Sequence, residues 1–452
     1  MCYIIWLRGA DAVGRKVRLC AAVLLTAMFL NGCSMTTVEK MYSPPKRSAE
    51  YEDLQLAIDN AMSDLSYSSP LSGENRQTVQ MADLNGDGSD EYLLFARDTS
   101  DNPLKILIFS RNEDGCRLVE TIESRGSDFD LVEYVNADGN PGMELVVGLR
   151  VSESIERFLS VYRFESDAAE QIVSANYDKF VPVDLDSDGL TELMVISRGE
   201  SDEDNAVAVL YDCHNGQVIR SLEASLSERS ANIKRIMVSK LQGGIPAVYV
   251  ASSVERNTII TDVFILKQGR FTNVSFSNES GTSVQTLRNY YVYADDIDND
   301  GVLELPDLID MKPVENTWMA SNQKLIRWYA MNINGEESDK MHTFHNFDGG
   351  WYLQLDKFLI PRISVIQKDN SFVFYLWDES FENVDVLMTV YTLTGPNREE
   401  EASSNSYFVL YRAEGVLYAV KTEEAAMDFG LIPELLAESF HPIQMDWKNG
   451  ET

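Results

Sequence analysis

The sequence predicts a mainly β fold built from repeated four-stranded units, followed by a smaller C-terminal part. Five stretches share one pattern, a short apolar strand, a glycine-containing turn and a second apolar strand. Their turns begin near positions 83, 134, 184, 239 and 296, so the pattern recurs at nearly regular intervals. Further alternating apolar runs lie between the turns, so each interval has room for four short strands. This arithmetic is typical of a propeller blade, and we expect a β-propeller of about five to seven four-stranded blades over residues 67–357.

Residues 1–32 have the pattern of a bacterial leader. Four basic residues precede a short apolar run, Leu19 to Leu30, which is too short to span a bilayer but suits a secretory signal. The run ends in Leu30-Asn31-Gly32-Cys33, which resembles the lipobox of bacterial lipoproteins. The resemblance implies that residues 1–32 are a signal peptide, that Cys33 carries a lipid, and that the protein is anchored at the extracytoplasmic face of the cell membrane. The alternative is an ordinary secretory signal with an incidental cysteine.

Two short segments connect this leader to the repeats. Residues 33–47 are polar and contain a proline pair, which predicts a tether. Residues 48–66 are predicted to form an amphipathic helix with Ser48 as its N-cap, because the apolar residues recur at spacings of three and four. We expect this helix to pack on the domain that follows it.

The C-terminal residues 358–452 lack acidic turns. Strand-like runs begin at Phe372, Val384, Tyr407 and Val416, and short helices are predicted near Pro396 and Pro433, where proline suits the first helical position. The pattern favours a small α+β domain. A divergent last blade is the alternative.

Composition and charge narrow the classes of function. The 452-residue chain has 38 Lys and Arg against 72 Asp and Glu, a net charge of −34. Nucleic-acid binding requires a basic surface that displaces counterions, so the charge argues against it. Only four histidines are present, which argues against a His-built metal or catalytic centre. After the leader and Cys33, only Cys116 and Cys213 remain, too few for a disulfide framework. We expect free thiols there, with one bridge as the alternative.

Three of the five turns gather oxygen side chains at positions 1, 3, 5 and 9, with glycine at position 6. Glycine at position 6 permits the left-handed backbone that reverses the chain, and the carbonyl at position 7 is expected to point inward. Such hard oxygen ligands suit Ca²⁺, and no soft ligand is present for zinc or copper. The predicted ligands are Asp83, Asn85, Asp87, Ser89 and Glu91 in the first turn, Asp184, Asp186, Asp188, Leu190 and Glu192 in the third, and Asp296, Asp298, Asp300, Val302 and Glu304 in the fifth.

The EF-hand is the obvious alternative for these turns. It requires a bidentate acid at position 12 and a helix on each side. Position 12 holds Leu94, Val195 and Asp307, and all three flanks alternate as strands do. The EF-hand interpretation therefore fails. The other alternative, a solvated acidic hairpin without metal, becomes weaker when three such turns fall in one repeat register.

With this turn, residues 78 to 357 resemble the FG-GAP/VCBS repeats, the β-propeller repeats of integrin α-subunits and many bacterial surface proteins. The resemblance implies about three structural Ca²⁺ ions, each bound between the first two strands of a blade. The second turn departs from the pattern: Tyr134 stands at position 1, and only a partial ligand set of Asn136, Asp138, Asn140 and Glu144 follows. The fourth turn has Ser239, Leu241, Gly243 and Ala247 at the ligand positions, and we expect no metal there.

No nucleophile elbow, His-Glu-x-x-His motif, P-loop or dinucleotide-binding glycine motif occurs in the sequence. This favours a non-enzymatic cell-surface lipoprotein whose calcium-stabilised propeller serves extracellular binding or adhesion, with an unidentified protein or glycan as partner. The membrane is contacted through the lipid anchor only. The alternative is an extracellular polysaccharide-active enzyme or its accessory module. Acids that could form a catalytic carboxylate pair are plentiful, but their spacing selects no particular pair. An envelope scaffold without a small ligand is a third hypothesis.

Overall fold

A computed structural model describes residues 49–112, 115–151, 156–165, 167–201, 203–214, 217–311, 323–377 and 385–443. The chain divides into two compact units, residues 1–63 with 112–117, and residues 64–111 with 118–452. Within the described ranges, no helix is both long and apolar enough to cross a membrane. The predicted signal peptide, tether and Cys33 lie outside the described residues.

Among the residues that the structure describes, helices are few and short. Helix α1 spans Ala49–Ala61, and its buried residues Leu54 and Ile58 lie four positions apart, on one face. The predicted helix extended to residue 66, but the chain instead forms a two-residue strand that pairs with Ala96 and Arg97. The other α-helices of the described residues are α2 (Arg398–Ser404), which begins two residues after Pro396, and α3 (Pro433–Ser439), which begins at Pro433 as predicted.

In the described part of the chain the strands form six antiparallel sheets, which follow one another along the sequence. The first sheet contains β1 (Ser66–Tyr67), β2 (Val79–Ala82), β3 (Glu91–Arg97), β4 (Leu104–Asn112) and β5 (Gly115–Ser124). The second contains β6 (Asp128–Val135), β7 (Glu144–Arg150), β8 (Arg157–Glu165) and β9 (Ala168–Asn176). The third contains β10 (Lys179–Val183), β11 (Glu192–Ser197), β12 (Val207–His214) and β13 (Gln217–Ser225). The fourth contains β14 (Ile233–Leu241), β15 (Ile245–Glu255), β16 (Thr258–Lys267) and β17 (Arg270–Asn273).

The last two sheets have five strands each. The fifth sheet contains β18 (Leu305–Ile309), β19 (Gln323–Met331), β20 (Glu337–Asn346), β21 (Trp351–Leu355) and, from the far end of the chain, β27 (Phe440–Pro442). The sixth contains β22 (Ile363–Lys368), β23 (Ser371–Leu376), β24 (Asp385–Thr394), β25 (Phe408–Ala413) and β26 (Val416–Thr422). The mainly β fold with repeated four-stranded sheets, predicted from the sequence, is therefore confirmed.

Consecutive sheets share their apolar cores. The rings of Phe95 and Phe129 join the first and second sheets in edge-to-face contact, with centroids 5.2 Å apart. Strands β7 and β11 each lie between two such cores. Strands β3, β7 and β11 are buried along nearly their whole length and have nearly continuous apolar sequences. The first strands β2 and β10 alternate between exposed and buried residues.

The sixth sheet belongs to the same compact unit as the fifth. Its Phe372 and Phe374 pack against Phe344 and Trp351 of the fifth sheet. Strand β27 leaves the C-terminal segment and pairs with β21. The predicted domain boundaries, and the assignment of residues 358–452 as an α+β domain or a last blade, stay predictions. Among the described residues, Cys116 takes part in no disulfide.

Candidate metal centres

The acidic turns lie where they were predicted, between the first two strands of a sheet. In the first three sheets the turn glutamate is the first residue of the second strand, and in the fifth sheet Glu304 directly precedes β18 and forms a bridge with Asp295. We name the turns by their order: the first turn is 83–91, the second 134–144, the third 184–192, the fourth 239–247 and the fifth 296–304.

Four turns share one hydrogen bond that fixes the glutamate. A backbone N–H near the start of the turn donates to the Oε2 atom of that glutamate, which is almost fully buried in every case. The donor–acceptor pairs are Leu84–Glu91 at 3.0 Å, Ala137–Glu144 at 2.7 Å, Leu185–Glu192 at 2.6 Å and Ile297–Glu304 at 3.2 Å. A buried carboxylate held this way keeps its second oxygen, Oε1, for another partner.

The first, third and fifth turns also share their backbone reversal. The residue at position 6, Gly88, Gly189 or Gly301, has a φ between 83° and 90°, the left-handed conformation expected for that glycine. Its N–H donates to the position 1 aspartate at 3.0 to 3.1 Å. Residues Ser89, Leu190 and Val302 at position 7 donate their N–H to the aspartate at position 5. Their predicted role as carbonyl ligands stays a prediction.

The third turn contains the larger of the two carboxylate clusters found among the described residues. Asp184, Asp186, Asp188 and Glu192 each place an oxygen within 4.8 Å of the others. The Oδ1 atom of Asp184 is buried and accepts no hydrogen bond. Burial, with repulsion from Asp186 behind it, raises the pKa of Glu192 to about 8. Four carboxylates with an unsatisfied buried oxygen fit a hard divalent cation such as Ca²⁺.

The fifth turn brings together Asp296, Asp298 and Glu304, again with oxygens within 4.8 Å of one another. The Oε1 atom of Glu304 is buried without a hydrogen bond, and burial raises the pKa of this residue to about 7. Lys340 on β20 reaches into the turn, where its ammonium bonds Asp300 and lies 3.6 Å from Asp298 and 3.9 Å from Glu304. The positive charge of the Lys340 ammonium therefore lies beside the predicted metal ligands.

In the first turn, the carboxylates accept hydrogen bonds from the turn itself. The amide Nδ2 of Asn85 donates to Glu91 at 2.9 Å, and both oxygens of Asp83 accept backbone N–H groups, from Gly86 and Gly88. Clusters of three or more carboxylates with oxygens within 4.8 Å occur, among the described residues, in the third and fifth turns. The metal ligands predicted for the first turn thus stay a prediction. An ion that binds there would have to displace some of these internal hydrogen bonds.

The second turn contains a guanidinium. Arg163 on β8 places its Nε and Nη2 atoms each 2.5 Å from Oδ2 of Asp138, whose side chain is fully buried. Asn140 donates to both oxygens of the same carboxylate, and Gly139 donates to Asn136. Burial opposes ionisation of Asp138, but the hydrogen bonds from Asn140 and Arg163 outweigh it and hold its pKa below the usual value. The partial ligand set predicted here is thus engaged by the chain itself.

Neighbouring turns touch one another. Met143 donates its N–H to the carbonyl of Asp83, Thr191 donates to Asn136, and Leu303 donates to Lys240, at 3.0, 2.8 and 3.2 Å. These bonds join the first turn to the second, the second to the third and the fourth to the fifth. The fourth turn has no acid, and Ser239 contributes only a long hydrogen bond to Gly301. The turns therefore form connected groups along the edges of the sheets.

Sequence reasoning missed Arg163 and Lys340, which lie far along the chain from the turn glutamates that they approach. A signal was available for Arg163, because a basic residue on the third strand of an antiparallel sheet is brought opposite the start of the second strand. Lys340 gave no such signal. It lies on β20, which does not pair directly with the strand that follows the turn glutamate, β18.

Comparison with protein-family models finds no match to this chain, and comparison with curated proteins finds none either. The fold is similar to a rhamnogalacturonan lyase from Bacillus licheniformis, at 12% identity and a TM-score of 0.30, over 58% of this chain and 57% of the lyase. It is also similar to rhamnogalacturonan lyase YesW, at 12% identity and a TM-score of 0.27, over 60% of this chain and 56% of that one. A Bacteroides uniformis protein described as a 6-phosphogluconolactonase shows 12% identity and a TM-score of 0.25, over 71% and 94% of the two chains.

The chain spans little more than half the length of the two lyases it resembles. Likeness at these TM-scores carries no assignment of activity, substrate or metal to this protein.

Proposed function

We propose that this protein is a calcium-stabilised binding protein of the cell surface, in which Ca²⁺ holds the turns of a β-propeller and the assembled sheets present a binding surface. Membership of the FG-GAP/VCBS repeats, closure of the six sheets into a ring, the lipid anchor at Cys33 and the extracytoplasmic location are parts of this proposal. About three ions are expected in all, in the first, third and fifth turns.

The observation that carries the proposal is the third turn. Four carboxylates converge there, and the Oδ1 atom of Asp184 is buried without a hydrogen bond. Like charges a few ångströms apart repel by about 1 kcal/mol per pair even in water-like surroundings. Without a cation, the carboxylates of this turn therefore repel one another. A divalent cation removes that repulsion and supplies the partner that the buried oxygen lacks.

The test uses the protein from residue 34 onward, which keeps the whole described chain. Elemental analysis after dialysis against Ca²⁺ is expected to find bound calcium, and the melting temperature is expected to fall when chelator is added. Mg²⁺ is expected to stabilise less, because it demands a stricter octahedral geometry than such a turn offers. Unchanged melting in chelator together with no bound metal would contradict the calcium proposal.

A second candidate function, binding of an acidic polysaccharide as an accessory module, is favoured by one cavity. Its volume is about 490 Å³, within the range of small-ligand sites. In a chain of net charge −34, four of its lining residues are basic, against two acids. The basic residues are Arg157, Lys179, Arg198 and Arg229, and the acids are Asp178 and Asp204.

Two arginines of this cavity are held in place. Arg198 donates to Asp178 at 3.1 Å, Arg157 donates to the backbone carbonyl of Asp178 at 3.4 Å, and Ser230 donates to the Asp178 carboxylate at 2.5 Å. A planar guanidinium pre-oriented by a carboxylate suits a carboxylate-bearing sugar, which it contacts through two parallel N–H groups.

Binding of oligogalacturonate, measured by titration calorimetry with a neutral oligosaccharide beside it, distinguishes the two functions. An accessory module is expected to bind the uronate, to lose affinity in Arg157→Ser and to keep it in Arg412→Ser, whose arginine pairs with Glu399 elsewhere on the surface. Equal binding of charged and neutral sugars, or binding unaffected by Arg157→Ser, would reject this site. Release of shortened or unsaturated products in the same mixture would show an enzyme instead of an accessory module.

A further inference from the structure

The strand residue opposite each turn glutamate differs in charge from sheet to sheet. In the first three sheets the second and third strands pair up to Tyr92 with Phe109, Leu145 with Tyr162, and Leu193 with Tyr211. One step farther along each antiparallel pair, Glu91 lies opposite Ser110, Glu144 opposite Arg163, and Glu192 opposite Asp212. Three equivalent positions thus hold a neutral, a positive and a negative side chain.

Each of these side chains acts on its turn. Ser110 hydrogen-bonds Glu91, and the charge of Arg163 favours the ionised forms of both Glu144 and Asp138. Asp212 does the opposite in the third turn, because its charge repels the ionised Glu192. The third turn therefore has an excess of negative charge, whereas the second turn carries its own positive charge.

The fifth turn obtains a cation by another route. Leu305 pairs with Tyr329, which places the small Ala330 opposite Glu304 and leaves room beside the turn. Strand β20 is irregular next to this point: Asp339 pairs with Tyr329 and Met341 with Trp328, so Lys340 between them is an extra residue. A bulge of this kind redirects a side chain, and here the Lys340 ammonium reaches three carboxylates of the turn.

We propose that Arg163 is a built-in cation that takes the place of a metal ion in the second turn, and that in the second and third turns the residue facing the turn glutamate decides which cation the turn uses. The second turn is then independent of metal. The third turn, facing Asp212, depends on an external divalent ion, and in the fifth turn that ion competes with Lys340. The statements about metal rest on the proposed function, whereas the role of Arg163 does not.

The structural reason is that a buried carboxylate requires a positive partner, and Asp138 is fully buried. The side chain of Arg163 is itself only 16% exposed, so the pair is held away from water on both sides. Removing one member of a buried ion pair leaves the other charge without compensation, which is far more costly than loss of a surface pair.

The first experiment compares wild type, Arg163→Ser, Asp138→Asn and the double variant in chelator. Serine reproduces the residue that the first sheet has at this position, and asparagine keeps the shape of the aspartate. Arg163→Ser is expected to lower the melting temperature, and Asp138→Asn in the same chain is expected to recover part of that loss. Strictly additive effects of the two substitutions would show that Arg163 does not neutralise Asp138 and would overturn the proposal. Arg412→Ser, which removes an exposed arginine, serves as the control.

The second experiment transfers the arginine. Asp212→Arg is expected to place a guanidinium against Glu192, to remove one bound Ca²⁺ by elemental analysis, and to reduce the loss of melting temperature on adding chelator. Conversely, Arg163→Ser is expected to show a larger Ca²⁺-dependent rise in melting temperature than wild type. Retention of the full calcium content in Asp212→Arg would overturn the selection rule. Wild-type protein that binds no Ca²⁺ would defeat the proposed function, while the first experiment would still decide the role of Arg163.

Discussion

The backbone N–H of Met143 donates to the carbonyl of Asp83 at 3.0 Å, so the second turn is anchored on the first residue of the first turn. The two turns pack closely around this bond. A Cβ atom added to Gly86 would overlap Pro141, and one added to Gly142 would overlap the carbonyl of Leu84. Packing between turns therefore restricts side chains at positions that an isolated turn would leave open.

We expect Gly86→Ala to destabilise the protein more than Gly88→Ala. Both glycines have a positive φ, 72° and 86°, so each alanine costs about 1 kcal/mol in backbone strain. Only Gly86 also faces Pro141, whereas nothing lies within 4 Å of a Cβ at Gly88. The overlap adds about 1–3 kcal/mol. Denaturant unfolding of the two variants in chelator measures the difference, and equal free energies of unfolding would show that the contact yields without cost.

Asp186→Ala is expected to remove one Ca²⁺ ion and the stabilisation that it gives. Asp186 is part of the carboxylate cluster of the third turn. A site filled at a hundredfold excess of free ion over its Kd contributes about 2.7 kcal/mol. Ser239→Ala, in the fourth turn without acids, is the matched control and is expected to remove none. The measurements are calcium content and melting with and without chelator, and identical losses in both variants would argue against a site in the third turn.

Lys340→Met is expected to strengthen calcium binding in the fifth turn. The ammonium contacts Asp300 and approaches Asp298 and Glu304, so an incoming ion must displace it. Methionine keeps much of the side-chain volume without the charge. Titration with Ca²⁺ is expected to show one tighter site, and in chelator the variant is expected to melt lower than wild type, because three carboxylates lose their cation. A titration curve unchanged from wild type would show that Lys340 does not compete.

His345→Phe is expected to reduce the acid sensitivity of the fold. His345 is fully buried and stacks on Tyr352 with ring centroids 5.0 Å apart, and burial lowers its pKa from 6.5 to about 3. Because the folded-state pKa lies below the unfolded one, its contribution is fully present above pH 6.5 and is lost as the pH falls towards 3. The loss reaches about 1.4 kcal/mol per pH unit in that window.

Unfolding measured from neutral pH down to about pH 4 tests this prediction. The free energy of unfolding of His345→Phe is expected to fall less steeply than that of wild type. His342→Gln alters a half-buried histidine and is expected to change the slope less. Parallel curves for wild type and His345→Phe would contradict the assignment of this acid sensitivity to His345.

Cys33→Ala is expected to leave an unlipidated and uncleaved precursor. The motivation is the sequence Leu30-Asn31-Gly32-Cys33 behind a short apolar run, which lies outside the described residues. Labelled fatty acid fed to producing cells is expected to enter the wild type and not the variant. Equal labelling of both proteins would rule out Cys33 as the lipid attachment site.

The turns themselves were predictable because their geometry is local. One short stretch of sequence contains the aspartates, the glycine and the glutamate, and the hydrogen bond from Leu185 to Glu192 joins residues only seven positions apart. The same locality explains why the helices near Pro396 and Pro433 and four of the five strands of the sixth sheet were found from the sequence, whereas β22 was missed. Apolar alternation and proline position act over short distances in the chain, whereas α1 ended early because β1 pairs with the distant strand β3.

The sequence by itself determined a mainly β chain of repeated four-stranded units and three turns with regularly spaced oxygen side chains, because period, turn chemistry and side-chain spacing are properties of short segments. Only the tertiary structure decided which charge faces each turn. Arg163, Asp212 and Lys340 reach the turns through strand register and a bulge, and register is fixed by the packing of whole sheets. The difference between the second and third turns therefore depends on the folded sheets, since Arg163 or Asp212 comes opposite the turn glutamate only when its strand is paired.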